Sequence, residues 1–109
     1  MPNCFRQDVV LVRYPFSDLS SFKIRPAVVV STPHKSQDVF VVALTSKTKA
    51  LLEGEPVLNQ WREAGLNVET AVKRGVYTTS KKLVIKVIGQ LTGDDLSHLE
   101  QSLKEWLGL

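Results

Sequence analysis

The sequence predicts a mainly β fold with helical additions: a small, curved sheet or open β-barrel closed by a C-terminal amphipathic helix. Several short runs rich in β-branched residues are separated by turn-forming stretches, and only the last twenty residues carry a clear helical period. Long loops between short strands and a single terminal helix favour a sheet that wraps around its own core.

The first strand is DVVLVRY (8–14), and PFSDLSSFK after it reads as a turn-rich loop. RPAVVVS (25–31) is a second strand, apolar on both faces, whose Pro26 sits where a first or edge position tolerates a missing N–H. TPHKSQD leads to a third strand, VFVVALTS (39–46). Gly54 and Pro56 then break any long helix, while NQWREAGL forms a short helical turn closed by Gly65. AVKRGVYTT and LVIKVIGQL read as two further strands. Thr92 with Asp95 three residues on has the spacing of a capping box, and Leu96, Leu99, Leu103, Trp106 and Leu107 form one helical stripe.

A length of 109 residues and 43% apolar content suit one domain spanning 1–109. A chain of this size buries roughly two thirds of its unfolded surface, so pairing with a second copy is a reasonable expectation. One cysteine, Cys4, near an N-terminus expected to be mobile, rules out an intrachain disulfide and a thiolate zinc cluster. No apolar run has the length of a membrane span, and MPNCFRQD lacks the layout of a secretory signal, which points to the cytoplasm. Fourteen Lys and Arg against eleven Asp and Glu leave +3, a mild bias toward anionic partners. The acids crowd into 53–69 and 94–105, and the cations fall near the strands, so a basic face opposite an acidic helix is expected.

Phosphate-loop and metal motifs are absent, and no nucleotide cofactor or metal is expected. His98 reads as a helix surface position, and His34, next to Lys35, as either a nucleic-acid contact or an ordinary loop residue. Arg25 stands out. Held at a strand mouth by the following Pro and the buried valines, it offers a fork of donors matched to phosphate, or else an ion pair with a residue such as Asp18. Thr45 and Ser46 supply hydroxyls at another mouth, or simply turn residues. Phe22 either stacks a base or anchors its loop. Lys23, Lys47 and Lys49 are candidate phosphate contacts, against the reading of a solvated basic surface.

DVVLVRYPFSDLSSFKIRPAVVVS resembles the N-terminal signature of the MazF/PemK toxins, with its PFxDL-type loop and K-x-RP pair. VVALTS is similar to that family's third strand with its terminal Thr-Ser, and IGQLTGDDLSHLEQSLKEWL to its IGxL followed by a final helix. The resemblance runs from Asp8 to Leu107. It implies the CcdB/MazF type of barrel and a homodimer with single-stranded RNA across the interface. It also implies a sequence-specific endoribonuclease that cuts mRNA without a metal, restrained by an antitoxin with a disordered acidic C-terminal segment. The family's catalytic Arg and Thr map onto Arg25 and Thr45, with Ser46 and Lys73 as secondary candidates and Arg74 as an RNA contact.

The sequence departs from the family pattern in three ways. Gln7 stands where many relatives carry Gly; Lys73 replaces a frequent Arg, giving a point charge in place of a fork; and the first loop lacks the His of some relatives. Two other readings remain: a CcdB-like, non-enzymatic gyrase poison acting through a C-terminus with Trp106 and Gly108, and a passive RNA-binding barrel.

Overall fold

The computed structural model describes residues 3–15 and 22–109. Eight elements follow one another: β1 (Asp8–Pro15), β2 (Phe22–Val29), β3 (Asp38–Thr45), β4 (Ala71–Val72), β5 (Tyr77–Ser80), a 3-10 turn (Lys81–Leu83), β6 (Val84–Gln90) and α1 (Gly93–Leu107). The strands form one antiparallel sheet in the order β4-β3-β2-β1-β6, with β5 sharing the outer edge of β3 with β4. The sheet does not close on itself, because β4 and β6 end the path.

Alternation along the strands explains why both faces are apolar. Val9, Val28, Val42 and Leu44 face one cluster, with Leu58, Ala64, Leu91 and Leu99 from outside the central strands. Their neighbours Val10, Val12, Ala27, Val29, Val39 and Val41 face a second cluster with Val84 and Cys4. A period of two puts successive side chains on opposite faces, so each central strand serves two cores. Cys4 is buried in the second of them, at 2% exposure, and not at a mobile end. Burial pushes its thiol pKa up, which disfavours the reactive thiolate.

Two boundaries and one capping contact differ from the sequence reading for identifiable reasons. The second strand starts at Phe22 because the β1–β2 hairpin pairs as far as Pro15↔Phe22, so Arg25 lies inside a strand, opposite Val12, and not at a strand mouth. AVKRGVYTT is two strands: the ladder along β3 continues only to Lys73, whose N–H donates to the Ala43 carbonyl at 2.9 Å. The chain then passes through Gly75 at φ 141° before β5 resumes pairing. The helix has its N-cap at Thr92, but the Thr92 side chain makes no capping hydrogen bond. Asp95 is drawn elsewhere: its carboxylate, 1% exposed, accepts the N–H groups of Asn59 and Gln60 at 2.8 and 2.9 Å. Leu96, Leu99, Leu103 and Trp106 pack on the first core, whereas Leu107 is exposed.

The helical turn at NQWREAGL ends as expected at Gly65. Leu66 N–H bonds the Trp61 carbonyl and Gly65 N–H bonds the Arg62 carbonyl, the paired pattern of a left-handed helix stop, and Gly65 has φ 90°. Here the glycine serves packing as well. A Cβ on Gly65 would lie 2.1 Å from the Ile88 carbonyl oxygen, and one on Gly89 would lie 2.3 Å from the Ala64 carbonyl oxygen. Two backbones therefore interlock, and the lock sets the 64–70 segment against β6.

Gln7 occupies a position that favours glycine, with φ 88°. Its N–H donates to the Val29 carbonyl, its own carbonyl accepts from Leu91 N–H, and its side-chain amide donates to the Leu91 carbonyl at 2.6 Å. Those three bonds hold a left-handed residue at the junction of β1, β2 and the end of β6. Among the described residues no helix is long and apolar enough to cross a membrane.

Candidate functional site

Pro26 shapes the site. Alternate N–H groups of a strand point to the same edge, and Val30 N–H donates to the Phe40 carbonyl of β3. The nitrogen of Pro26, four residues earlier, therefore points toward β3 as well, and it has no hydrogen to give. The β2–β3 ladder runs through Ala27↔Ala43, Val28↔Val42 and Val29↔Val41 and stops there. Beyond it the two strands part, while β2 remains paired to β1 on its other edge.

The gap between them is a cleft of about 630 Å³. One wall carries Arg25 and Pro26 from β2, with Thr45, Ser46 and Lys47 from the end of β3. The other wall carries Leu66, Asn67, Val68 and Thr70 from the segment held by the glycine lock, with Lys86 and Ile88 from β6. The described lining thus holds three cations, several hydroxyls and no carboxylate.

Arg25 is exposed, and among the described residues its guanidinium makes one hydrogen bond, 3.2 Å to the Ile24 carbonyl, so most of its donors face the cleft or solvent. Thr45 Oγ1 accepts the Lys47 N–H at 3.1 Å. The turn role is therefore present, and it leaves the hydroxyl proton of Thr45 available to an incoming acceptor. Thr48 Oγ1 donates to Glu69 at 2.8 Å, a strut that ties the two walls together.

The other candidates lie elsewhere. Lys23 and Lys49 are exposed but do not line the cleft. Lys73 and Arg74 follow β4 on the far edge of β3, where Arg74 N–H donates to Glu55 at 2.8 Å. The Glu55 carboxyl is held below the usual carboxylate range, first by the Arg74 N–H and then by the Leu52 N–H, with Lys73 adding its charge. These two cations thus sit beside an acid that already has structural partners, which places them apart from Arg25. The side chain of Phe22, the 16–21 part of the first loop and Asp18 lie outside the described residues. His98 is exposed on α1, and His34 borders a second hollow with Ser36, Asp38 and Phe40. The basic-versus-acidic division is partial, because Asp95 is buried and Glu100 pairs with Arg6.

Lys86, Asn67 and Thr70 were not among the sequence candidates. Lys86 carried a signal, as a lone cation within the apolar run LVIKVIG, and the register Leu11↔Lys86 shows why it reaches the cleft. Asn67 carried none, because its place depends on a contact between residues far apart in the chain. Trp106, the anchor of the C-terminal alternative, packs on the first core beneath Gly54, where a Cβ would meet its ring nitrogen at 2.8 Å.

Solved structures share this arrangement of strands. A chain of the MazE-MazF complex of Deinococcus radiodurans superposes with a TM-score of 0.82 at 15% identity, covering 100% of this chain and 99% of that one. An endoribonuclease from a mycobacterial species gives 0.74 at 20% identity, covering 100% and 95%. A mycobacterial endoribonuclease in complex with its cognate antitoxin gives 0.74 at 19%, covering 100% and 97%. At such identities the likeness is one of fold. No curated protein matches the chain in sequence. The family model for PemK-like, MazF-like toxins of type II toxin-antitoxin systems matches residues 5–107. With nearly the whole chain matched, this protein belongs to the PemK-like, MazF-like toxin family of type II toxin-antitoxin systems.

Proposed function

We propose that the chain is a sequence-specific endoribonuclease that cuts single-stranded mRNA in the cytoplasm, blocks translation and growth, and is restrained by a cognate antitoxin. The observation that carries this reading is the convergence of Arg25 with Thr45, Ser46 and Lys47 in a cleft whose described lining has no carboxylate. A polyanion meets only favourable charge there. The similarity to endoribonucleases, one of them bound to its antitoxin, supports both the activity and the partner. A homodimer with RNA across the interface follows the family pattern.

The chemistry is transphosphorylation. The RNA 2'-oxygen attacks the adjacent phosphorus as its proton passes to solvent water, the bond to the 5'-oxygen breaks, and water returns a proton to that oxygen. The products are a 2',3'-cyclic phosphate and a 5'-hydroxyl. Arg25 stabilises the charge on the five-coordinate phosphorus with its fork of donors, and Thr45 donates its hydroxyl proton to a phosphate oxygen. Arginine keeps its proton, so it serves as charge stabiliser and not as base. Lys47 and Lys86 hold flanking phosphates as point charges.

The test is incubation of the purified protein with a long single-stranded RNA in EDTA. Wild type cuts and leaves cyclic phosphate ends; Arg25→Ala loses about a hundredfold in rate and Thr45→Ala about tenfold. RNA binding without cutting would establish a passive binder, and inhibition of gyrase supercoiling without cutting would establish the gyrase reading.

A further inference from the structure

We infer that Asn67 is a specificity-determining residue of the cleft, reading the edge of one unpaired base of the RNA. The inference rests on the ribonuclease reading and assigns the second wall its role. The two walls divide the polar groups by chemistry. Arg25, Thr45, Ser46 and Lys47 suit phosphate oxygens, which every nucleotide offers alike. Asn67 is different in kind: it is uncharged and offers a donor and an acceptor side by side, the pattern that pairs with a base edge.

Three observations set it to that use. Its carboxamide is exposed and forms no hydrogen bond among the described residues, so both halves are open to a ligand. Its neighbour Val68, 54% exposed, adds an apolar surface for the face of a base.

The backbone beneath them is held at both ends and across the middle. The Gly65–Gly89 contact fixes the start, Leu58 N–H bonds the Thr70 carbonyl at the end, Thr70 Oγ1 donates to the Val68 carbonyl at 2.8 Å, and Thr48 ties Glu69 to the opposite wall. A reader must be held rigidly if a wrong base is to cost binding, because a mobile side chain would adapt to it.

The measurement is base preference, read as ratios so that a change in overall rate does not enter. RNA with a randomised segment is cut in EDTA by wild type, Asn67→Ala and Asn67→Asp, and the cut sites are sequenced. For Asn67→Ala, discrimination at one position falls by roughly tenfold while the other positions keep theirs. For Asn67→Asp, the carboxylate can only accept, so preference at that same position moves toward guanine, whose N1–H and N2–H are adjacent donors. An unchanged set of cut sites in both variants overturns the inference.

A wild type that cuts no RNA refutes the ribonuclease reading instead. In that case, affinities of the same three proteins for oligo-A, oligo-C, oligo-G and oligo-U decide the matter. Ratios that differ between wild type and Asn67→Ala support base reading, and ratios that do not differ, or no binding at all, overturn it.

Discussion

The two ends of β3 border two hollows of different character. At its C-terminal end Thr45 leads into the cleft of about 630 Å³ with Arg25, Lys47 and Lys86. At its N-terminal end Asp38 and Phe40 line a hollow of about 360 Å³ with Ser31, Thr32, His34, Ser36 and Thr78. Both are rich in hydroxyls, and both sit where β2 and β3 meet or part. They differ in charge and in how far their polar groups are already engaged. His34 Nδ1 accepts the Ser36 N–H at 3.1 Å and lies 2.8 Å from Ser36 Oγ, while Ser36 Oγ accepts the Asp38 N–H. In the larger cleft most donors of the guanidinium and the Thr45 proton are uncommitted. Hydroxyls alone do not attract an anion: permanent positive charge without a carboxylate in the described lining is what separates the two hollows.

Reversing the charge on each side is the strongest way to break that contrast. Arg25→Glu puts a carboxylate among phosphates and lowers RNA cutting by more than about a hundredfold, whereas Asp38→Lys at the other end leaves the rate within about twofold. Equal losses would show that both ends of β3 bind substrate, and the distinction would fall. The next effect concerns the lock that holds the second wall. Gly89→Ala pushes a methyl into the Ala64 carbonyl and destabilises the fold by about 2 kcal/mol in urea titrations. Gly93→Ala, where a Cβ meets nothing within 4 Å, is its control and leaves the midpoint unchanged or higher. If the two variants melt alike, the backbones at 64–65 and 88–89 are not interlocked in solution.

The smallest effect sharpens the contrast by testing a position that lines neither hollow. Gln7→Gly relieves a left-handed residue and loses one side-chain hydrogen bond, for a net gain of about 0.5 to 1 kcal/mol with RNA cutting unchanged. A loss of stability would mean that the bond from the Gln7 amide to the Leu91 carbonyl outweighs the backbone cost.

Much of the first wall was legible from the chain because its causes are local. The Arg-Pro pair, the valine run and the Thr-Ser at the end of a strand lie within a few residues of the backbone features that place them. The exact position of Arg25 was less legible: the hairpin adds Phe22, Lys23 and Ile24 to β2, and pairing of that kind depends on a partner strand. Asp95 illustrates the same limit in the helix. Its spacing from Thr92 fits a cap, but two N–H groups at Asn59 and Gln60 compete for the carboxylate and win, from 35 and 36 residues away in the chain. Asn67 and Lys86 reach the cleft through contacts across the fold, so no window of sequence contains the reason for their placement. Lys73 and Arg74 are set apart from the other cations by Glu55, which the fold brings beside them.

Pro26 has one more consequence. A hydrogen-bonded ladder can lengthen or fray with temperature, salt or a bound ligand, since each rung is an equilibrium. Of the two bonds that would pair Leu44 with residue 26, the Leu44 N–H can still reach the Pro26 carbonyl, but the reciprocal bond lies outside any equilibrium because proline has no N–H to give. The end of the β2–β3 ladder at Ala27↔Ala43 is therefore fixed in part by covalent structure. A ligand of the cleft has fewer strand bonds to break there, so less of its binding energy is diverted to opening its own site.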